Sequence, residues 1–322
     1  MELMTSLKSV PFHQPPDCGT RQIAYIDVSR FVFMIKRRNS IAVDQTEPGR
    51  ARSGSPEPAA QREQQWDEQG TYLLEIKNLT LHFGQKMIFD QFDLQILRGE
   101  CLVLLGPSGI GKSTLLRLLL GTLQPESGTI LFDGTNIVSL SGEKLNHLRT
   151  RVGMVFQSSA LISSLSVFEN LALPLRELTR KTETEIQAIV EEKLHFVDLD
   201  RAKYLMPAEL SGGMKKRVAV ARSLVLDPDL ILFDEPTTGL DPIVARNVTE
   251  LILNLNRRAA VTILVVTHDL HTAFHVASRI AMLSQGKIVE LGPPAMIKKS
   301  QNPVVVQFLT AALEAFSLEG PD

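Results

Sequence analysis

The segment that most constrains this chain is GPSGIGKST, which starts at Gly106 where the apolar run CLVLL ends, and which leads into LLRLLLG. A continuous apolar run of that length is the pattern of a strand buried on both faces, and the leucine-rich stretch has helical period. Between them, the spacing GxxxxGK followed by serine builds a turn rather than a core element. Gly106, Gly109 and Gly111 let backbone amides point inward around phosphate oxygens, and the new helix adds the positive end of its dipole. The candidate phosphate-binding residues are Gly106, Pro107, Ser108, Gly109, Gly111, Lys112, Ser113 and Thr114. Lys112 is expected to reach the outer phosphates, and the Ser113 hydroxyl to ligate magnesium.

A second half of the site is expected at DLILFDEP. A buried strand ending in two carboxylates puts Asp234 where it can hold magnesium, directly or through water, and Glu235 where it can polarise an attacking water. Alone, such a pair also suits a helix N-cap and a solvated acid. His268 ends another apolar run, VTILVVTHD, and is placed to hydrogen-bond a terminal phosphate and water. His268, His271 and His275 also invite a metal-site reading. Their spacing argues against it, because a strand-end histidine need not share a helix face with the other two, and no cysteine or carboxylate completes the shell.

The balance of 34 basic and 36 acidic residues, a net charge of −2, provides no global field for nucleic acid, and no nucleic-acid partner is expected. Cys18 and Cys101 lie far apart without companions, so neither a disulfide framework nor a CxxC knuckle is expected, and a reducing compartment follows. No run approaches the roughly 20 apolar residues of a membrane span. The prolines at 11, 15 and 16 and Asp17 interrupt any secretory h-region.

Three regions are expected. Residues 1–70 hold six of the 17 prolines and one short apolar run, Phe31 to Ile35, and read as a mostly disordered extension. Within it FVFMIKRR is either a docking element or an incidental apolar patch, with Met34 an alternative start. Residues 71–300 read as one α/β domain. YLLEIKNLTLHF and MIFDQFDLQI alternate like half-buried strands, and TILFD, VGMVF, DLILFD and VTILVVTHD, separated by helical segments, give the pattern of a parallel sheet covered by helices. Residues 158–223 are mostly helical in pattern, as an insertion into that core. Residues 301–322 form a helical tail in which Val304, Val305, Phe308, Leu309, Ala312 and Leu313 share a face, expected to pack on its own core first and on a partner second.

The stretch LSGGMKKRVAVARSLVLDPDLILFDEPTTGLDP, residues 210–242, resembles the ATP-binding cassette (ABC) ATPases, in which a signature, an acidic strand and a D-loop occur in this order. The resemblance spans about residues 72–291. It implies a RecA-like P-loop core with an antiparallel β subdomain and an inserted helical subdomain. It assigns Leu210 to Gly213 to the signature, Gly239 to Asp241 to the D-loop, Gln157 to the Q-loop as a catalytic residue and magnesium ligand, and His268 to the switch histidine. Met214 stands where the signature usually has glutamine, but Ser211, Gly212 and Gly213 are kept. In the family this helix tip caps ATP bound to the opposite subunit, which implies a homodimer with two shared sites, and Asp241 joins the nucleotide-binding set. Phe83, before Gly84, stands where the family stacks adenine; ordinary core is the other reading.

GPSGIGKSTLLRLL, FQSSALISSLSVFENLALPLRE, LMPAELSGGMKKR and VVQFL together resemble the Mce-associated, maintenance-of-lipid-asymmetry (Mla-type) ATPases, in which methionine at this signature position is usual. That resemblance implies ATP and magnesium as cofactors, phospholipid movement between membranes as the work, integral-membrane permease subunits and an Mce-domain lipid-binding protein as partners, and a peripheral place on the inner face of the cytoplasmic membrane. The alternatives are an importer ATPase for amino acids or another small solute, and a chloroplast stromal location. The apolar stretch after Gln157 then reads either as helical-subdomain core or as a groove for a permease helix.

Overall fold

The computed structural model describes residues 71–259 and 261–318, so the readings of residues 1–70 and 319–322 lie outside the described residues. Two alternating segments form a hairpin, β1 (Tyr72–Phe83) and β2 (Lys86–Leu97), turned at Gly84, where φ is 60°. With β4 (Ser127–Phe132) and β5 (Thr135–Asn136) they make an antiparallel sheet in the order β2-β1-β4-β5. The six-stranded second sheet has the order β10-β9-β3-β8-β7-β6. Its strands are β3 (Cys101–Leu105), β6 (Val152–Val155), β7 (Leu230–Asp234), β8 (Thr262–Thr267), β9 (Arg279–Ser284) and β10 (Lys287–Gly292). β6, β7, β8, β3 and β9 run parallel, and β10 returns antiparallel to β9.

TILFD does not join the parallel sheet. It is β4, paired antiparallel with β1 through Leu74↔Phe132 and Ile76↔Ile130. The reason is visible in its texture: Ile130 and Phe132 are buried while Thr129 and Leu131 are only partly so, the alternation of a half-buried strand. The hairpin β9–β10 was not anticipated. RIAMLS and KIVELG flank Gln285 (φ 46°) and Gly286 (φ 76°), two left-handed residues as a tight hairpin turn requires.

Because side chains alternate across a strand, the parallel sheet feeds two cores. Cys101, Val103 and Leu105 of β3 join Ile263 and Val265 of β8 in the core shared with the helical insertion. Leu102, Leu104, Leu264 and Val266 face the antiparallel sheet together with helices α1 (Lys112–Leu119) and α2 (Gly142–Thr150). The insertion comprises α3 (Val167–Leu178), α4 (Glu183–Phe196) and α5 (Gly212–Leu224). A reciprocal capping box between Thr182 and Glu185 starts α4. The chain continues through α6 (Pro242–Ala259), α7 (Leu270–Val276) and α8 (Pro294–Lys298) to the terminal helix α9 (Pro303–Leu318). On α9, Val305 is buried and Phe308, Leu309 and Ala312 pack against the first core, but Val304 is 40% exposed and does not share their face.

The loop between β6 and α3 is held by Asn170, which is 1% exposed. Its Oδ1 accepts from the Ile162 amide at 2.8 Å, and its Nδ2 donates to the carbonyls of Ile162, Leu165 and Ser166. Asn170→Ala would leave these buried backbone groups unpaired, so we expect a loss of about 2–4 kcal/mol of stability, read as a lowered denaturant midpoint at unchanged slope.

Candidate active site

The glycine loop follows β3 and closes at Gly111, where φ is 119° and a Cβ would come 2.8 Å from Ile88 Cγ2. Only glycine meets both conditions. At the other end, a Cβ on Gly106 would lie 2.8 Å from the Leu283 carbonyl oxygen, so the missed strand β9 presses on the loop floor. Lys112, 5% exposed, donates to the carbonyls of Gly106 at 2.7 Å and Pro107 at 3.0 Å, and its Nζ stands 3.3 Å from Glu235 Oε1. Burial pulls the Lys112 pKa down, and the carboxylates of Glu235 and Asp234 oppose this.

β7 and β8 deliver the other groups. Ser113 Oγ donates to Asp234 Oδ1 at 2.9 Å. Burial raises the Asp234 pKa against the stabilising Ser113 hydrogen bond. Glu235, 8% exposed, adopts a left-handed backbone with φ 45°, an uncommon conformation for a residue with a Cβ and one that recurs at functional sites. Its Oε1 lies 3.0 Å from His268 Nδ1, and its Oε2 accepts from Thr267 Oγ1 at 3.0 Å and Thr238 Oγ1 at 3.4 Å. Burial works against ionising Glu235, but His268, Lys112 and Thr267 together outweigh it and hold the carboxyl below the usual glutamate range.

Lys112, Ser113, Glu235 and His268 line a cleft of about 370 Å³ together with Phe83, Lys86, Ile88, Ser108, Gly109, Gly111, Thr114 and Gln157, with Asp234 behind Ser113. Phe83 is 45% exposed at its edge, an aromatic face open to contact. A serine hydroxyl joined to a carboxylate, with a glutamine amide in the same cleft, is a set of hard oxygen donors that fits magnesium. Among the described residues lining this cleft, none comes from the signature or the D-loop. Ser211 instead N-caps α5, its Oγ accepting from the Met214 amide, and Gly213 packs so closely that a Cβ would meet Val244 Cγ1 at 2.5 Å. Gly212 is exposed, and Asp241 accepts from the amides of Ile243 and Val244 at the start of α6. The histidine stretch divides likewise: His268 faces Glu235, while His275 Nε2 lies 3.0 Å from Glu250 Oε1.

Four contributors escaped the motif reading. Lys86 and Ile88 enter the cleft from β2, for which no local signal exists. Thr267 was legible in principle, as a strand-end hydroxyl beside a histidine. Lys216 donates to the Gln157 carbonyl at 2.6 Å and the Phe156 carbonyl at 3.3 Å, and burial pushes its pKa down to about 8 against the pull of Asp234 and Glu235.

A glycine loop, an acidic strand end and a strand-end histidine around one cleft, with a second glycine-capped helix outside it, define a cassette-type nucleotide hydrolase. The ABC transporter family model matches residues 89–238. Over 237 residues the chain is 46% identical to the intermembrane phospholipid transport system ATP-binding protein MlaF of Haemophilus influenzae, covering 74% of this chain and 90% of that protein. Over 236 residues it is 46% identical to the probable ribonucleotide transport ATP-binding protein mkl of Mycobacterium leprae, covering 73% and 68%. A dimeric ATP-binding cassette in a post-hydrolysis state, bound to ADP and Pi, superposes with a TM-score of 0.63 at 32% identity, covering 69% of this chain and 98% of that one. The chain belongs to the ABC transporter family, as one of its ATP-binding cassettes, and it is an ATPase.

The histidine contact gives a titration prediction. Folding favours the ionised form of Glu235, so its contribution is complete above the unfolded pKa and fades as pH falls through the lower folded value. His268→Ala removes one of the groups that lower that pKa, so the Glu235 carboxyl midpoint, followed by carbon NMR, should move to higher pH. An unmoved or lowered midpoint would refute the contact's role.

Proposed function

We propose that this chain is the ATP-hydrolysing subunit of a membrane complex that moves phospholipid between membranes, working as a homodimer with magnesium as cofactor. The observation that carries the chemistry is the Glu235 carboxylate, buried yet held ionised 3.0 Å from His268 and 3.3 Å from Lys112 beneath the glycine loop. The amides of residues 108–113 and the Lys112 ammonium bind the phosphates of ATP, in place of the carbonyls that Lys112 meets now. Phe83 stacks on the adenine, and Thr114 lines the phosphate end of the cleft.

Ser113, Asp234 and Gln157 hold magnesium, which when bound neutralises charge on the outer phosphates. Glu235 orients a water and accepts its proton as the water oxygen bonds to the terminal phosphorus and the bond to ADP breaks. His268 keeps Glu235 oriented and touches the terminal phosphate. The signature tip, Ser211, Gly212 and Gly213, lies outside its own cleft and is a free helix N-terminus suited to an anion. A mate's ATP supplies that anion, and Asp241 lies at the same face. Two copies facing one another then share two nucleotides in an isologous contact.

Phospholipid as cargo is supported by the MlaF relative, which this chain matches over 90% of its length, against 68% for the ribonucleotide-named relative at equal identity. Among the described residues no helix is long and apolar enough to cross a membrane. In the complex proposed, which rests on the likeness to the MlaF relative, permease subunits do the spanning, with an Mce-domain protein beyond them, and the cassette sits on the cytoplasmic face of the inner membrane.

The test is the chain purified with its native membrane partners and reconstituted in phospholipid vesicles. ATP should drive labelled phospholipid transfer, and Glu235→Gln should cut both hydrolysis and transfer by about 100-fold or more while ATP still binds. Hydrolysis at the parent rate would refute the role of Glu235. ATP-driven uptake of nucleotides or amino acids without lipid transfer would refute the cargo.

A further inference from the structure

Helix α5 carries the signature at its tip and grips another segment with its flank. Lys216 is 3% exposed, a charged residue buried where the mechanism so far gives it no task. Its ammonium meets the carbonyls of Phe156 and Gln157, which follow the end of β6 and have left the sheet's ladder. About 1.7 turns further on, Arg222 donates to the carbonyls of Ser159 at 3.1 Å and Ala160 at 2.8 Å. Ser159 (φ 63°) and Ala160 (φ 49°) are both left-handed without being glycine, a conformation that persists only where the surroundings impose it.

Residues 156–160 are thus held by two cations on α5 in addition to their own turn, in which the Ser159 amide donates to the Phe156 carbonyl at 2.9 Å. The Gln157 side chain, by contrast, is exposed and lines the nucleotide cleft. Ser211 and Lys216 are five residues apart on one helix, about 7.5 Å along its axis. A displacement of the tip is carried by the rod to the Gln157 carbonyl.

We infer that Lys216 is a positioning residue for ATP turnover, coupling the placement of the signature tip at Ser211 to that of the Gln157 side chain through its bonds to the Phe156 and Gln157 carbonyls. A lysine suits this role because its ammonium offers three donors and so holds both carbonyls at once, the Phe156 carbonyl also accepting the Ser159 amide at 2.9 Å. The inference rests on the reading given above of Gln157 as a group acting on ATP and of Ser211 as the tip that caps it.

The experiment is a double-mutant cycle on the full chain. Lys216→Met keeps length and burial but removes the donors. It should bind ATP and slow turnover about tenfold with KM for ATP changed less than about twofold, a loss in the closed state rather than in binding. Lys216→Arg should recover to within about threefold of the parent. Because Lys216 acts through Gln157, Lys216→Met combined with Gln157→Ala should be no slower than Gln157→Ala alone.

Full multiplication of the two effects, or Lys216→Met turning over at the parent rate while Gln157→Ala is slow, overturns the inference and leaves the reading of Gln157 standing. Gln157→Ala at the parent rate overturns that reading, and Lys216 with it. If Lys216→Met does not fold, Lys216→Leu, which likewise carries no donor, takes its place in the same cycle with the same outcomes.

Discussion

Three neighbouring parallel strands end at one level, and the chemistry of this protein depends on that alignment. β3 pairs with β8 up to Leu105↔Thr267, and β7 pairs with β8 up to Asp234↔Val266. The next residues are Gly106, His268 and Glu235, so the phosphate loop, the histidine and the carboxylate emerge side by side from a rigid floor. Ligand sites of open parallel sheets lie at such carboxyl ends. Here the floor is buried and, apart from Thr262 and Thr267 at the two ends of β8, apolar: all of β3 and β8 is buried, and alternate residues lock into cores on both faces. Rigid packing beneath keeps both Lys112 and His268 within hydrogen-bonding reach of Glu235.

Low dielectric then sharpens what the alignment brings together. Asp234 and Glu235 are adjacent acids of opposite behaviour, one raised by burial and the other held ionised by a histidine, a lysine and a threonine. The difference follows from backbone geometry. Asp234 ends the strand facing Ser113, whereas the left-handed turn at Glu235 swings its carboxylate toward His268.

Much of this was legible in the residues because the site is built from contiguous motifs. The glycine loop, the acidic strand end and the strand-end histidine each sit at a junction that hydrophobic pattern alone locates, and the helical insertion showed as a change of period. What escaped was set by long-range pairing. TILFD reads as apolar in any sheet, and only its partner β1 makes it antiparallel. β10 is only partly buried along most of its length, and the Gln285-Gly286 turn between β9 and β10 is a weak local signal. Lys86 reaches the cleft because a hairpin lies over it, and Lys216 reaches Gln157 across 59 positions. Val304 shows the limit of helical periodicity, since the face that α9 buries is chosen by the surface it meets.

The separation of the signature from its own cleft is the feature with the widest consequence. On the function proposed above, a helix tip suited to an anion, on a helix whose flank holds the segment of Gln157, would make two copies interdependent, the site of one completed by the other and each tip tied to its own Gln157. The most direct measurement is a structure of the full chain with magnesium and a non-hydrolysable ATP analogue. The account predicts two copies face to face, with Ser211 of each within hydrogen-bonding distance of the terminal phosphate held by its mate. Both signature tips in solvent, in a protein that still hydrolyses ATP, would contradict it.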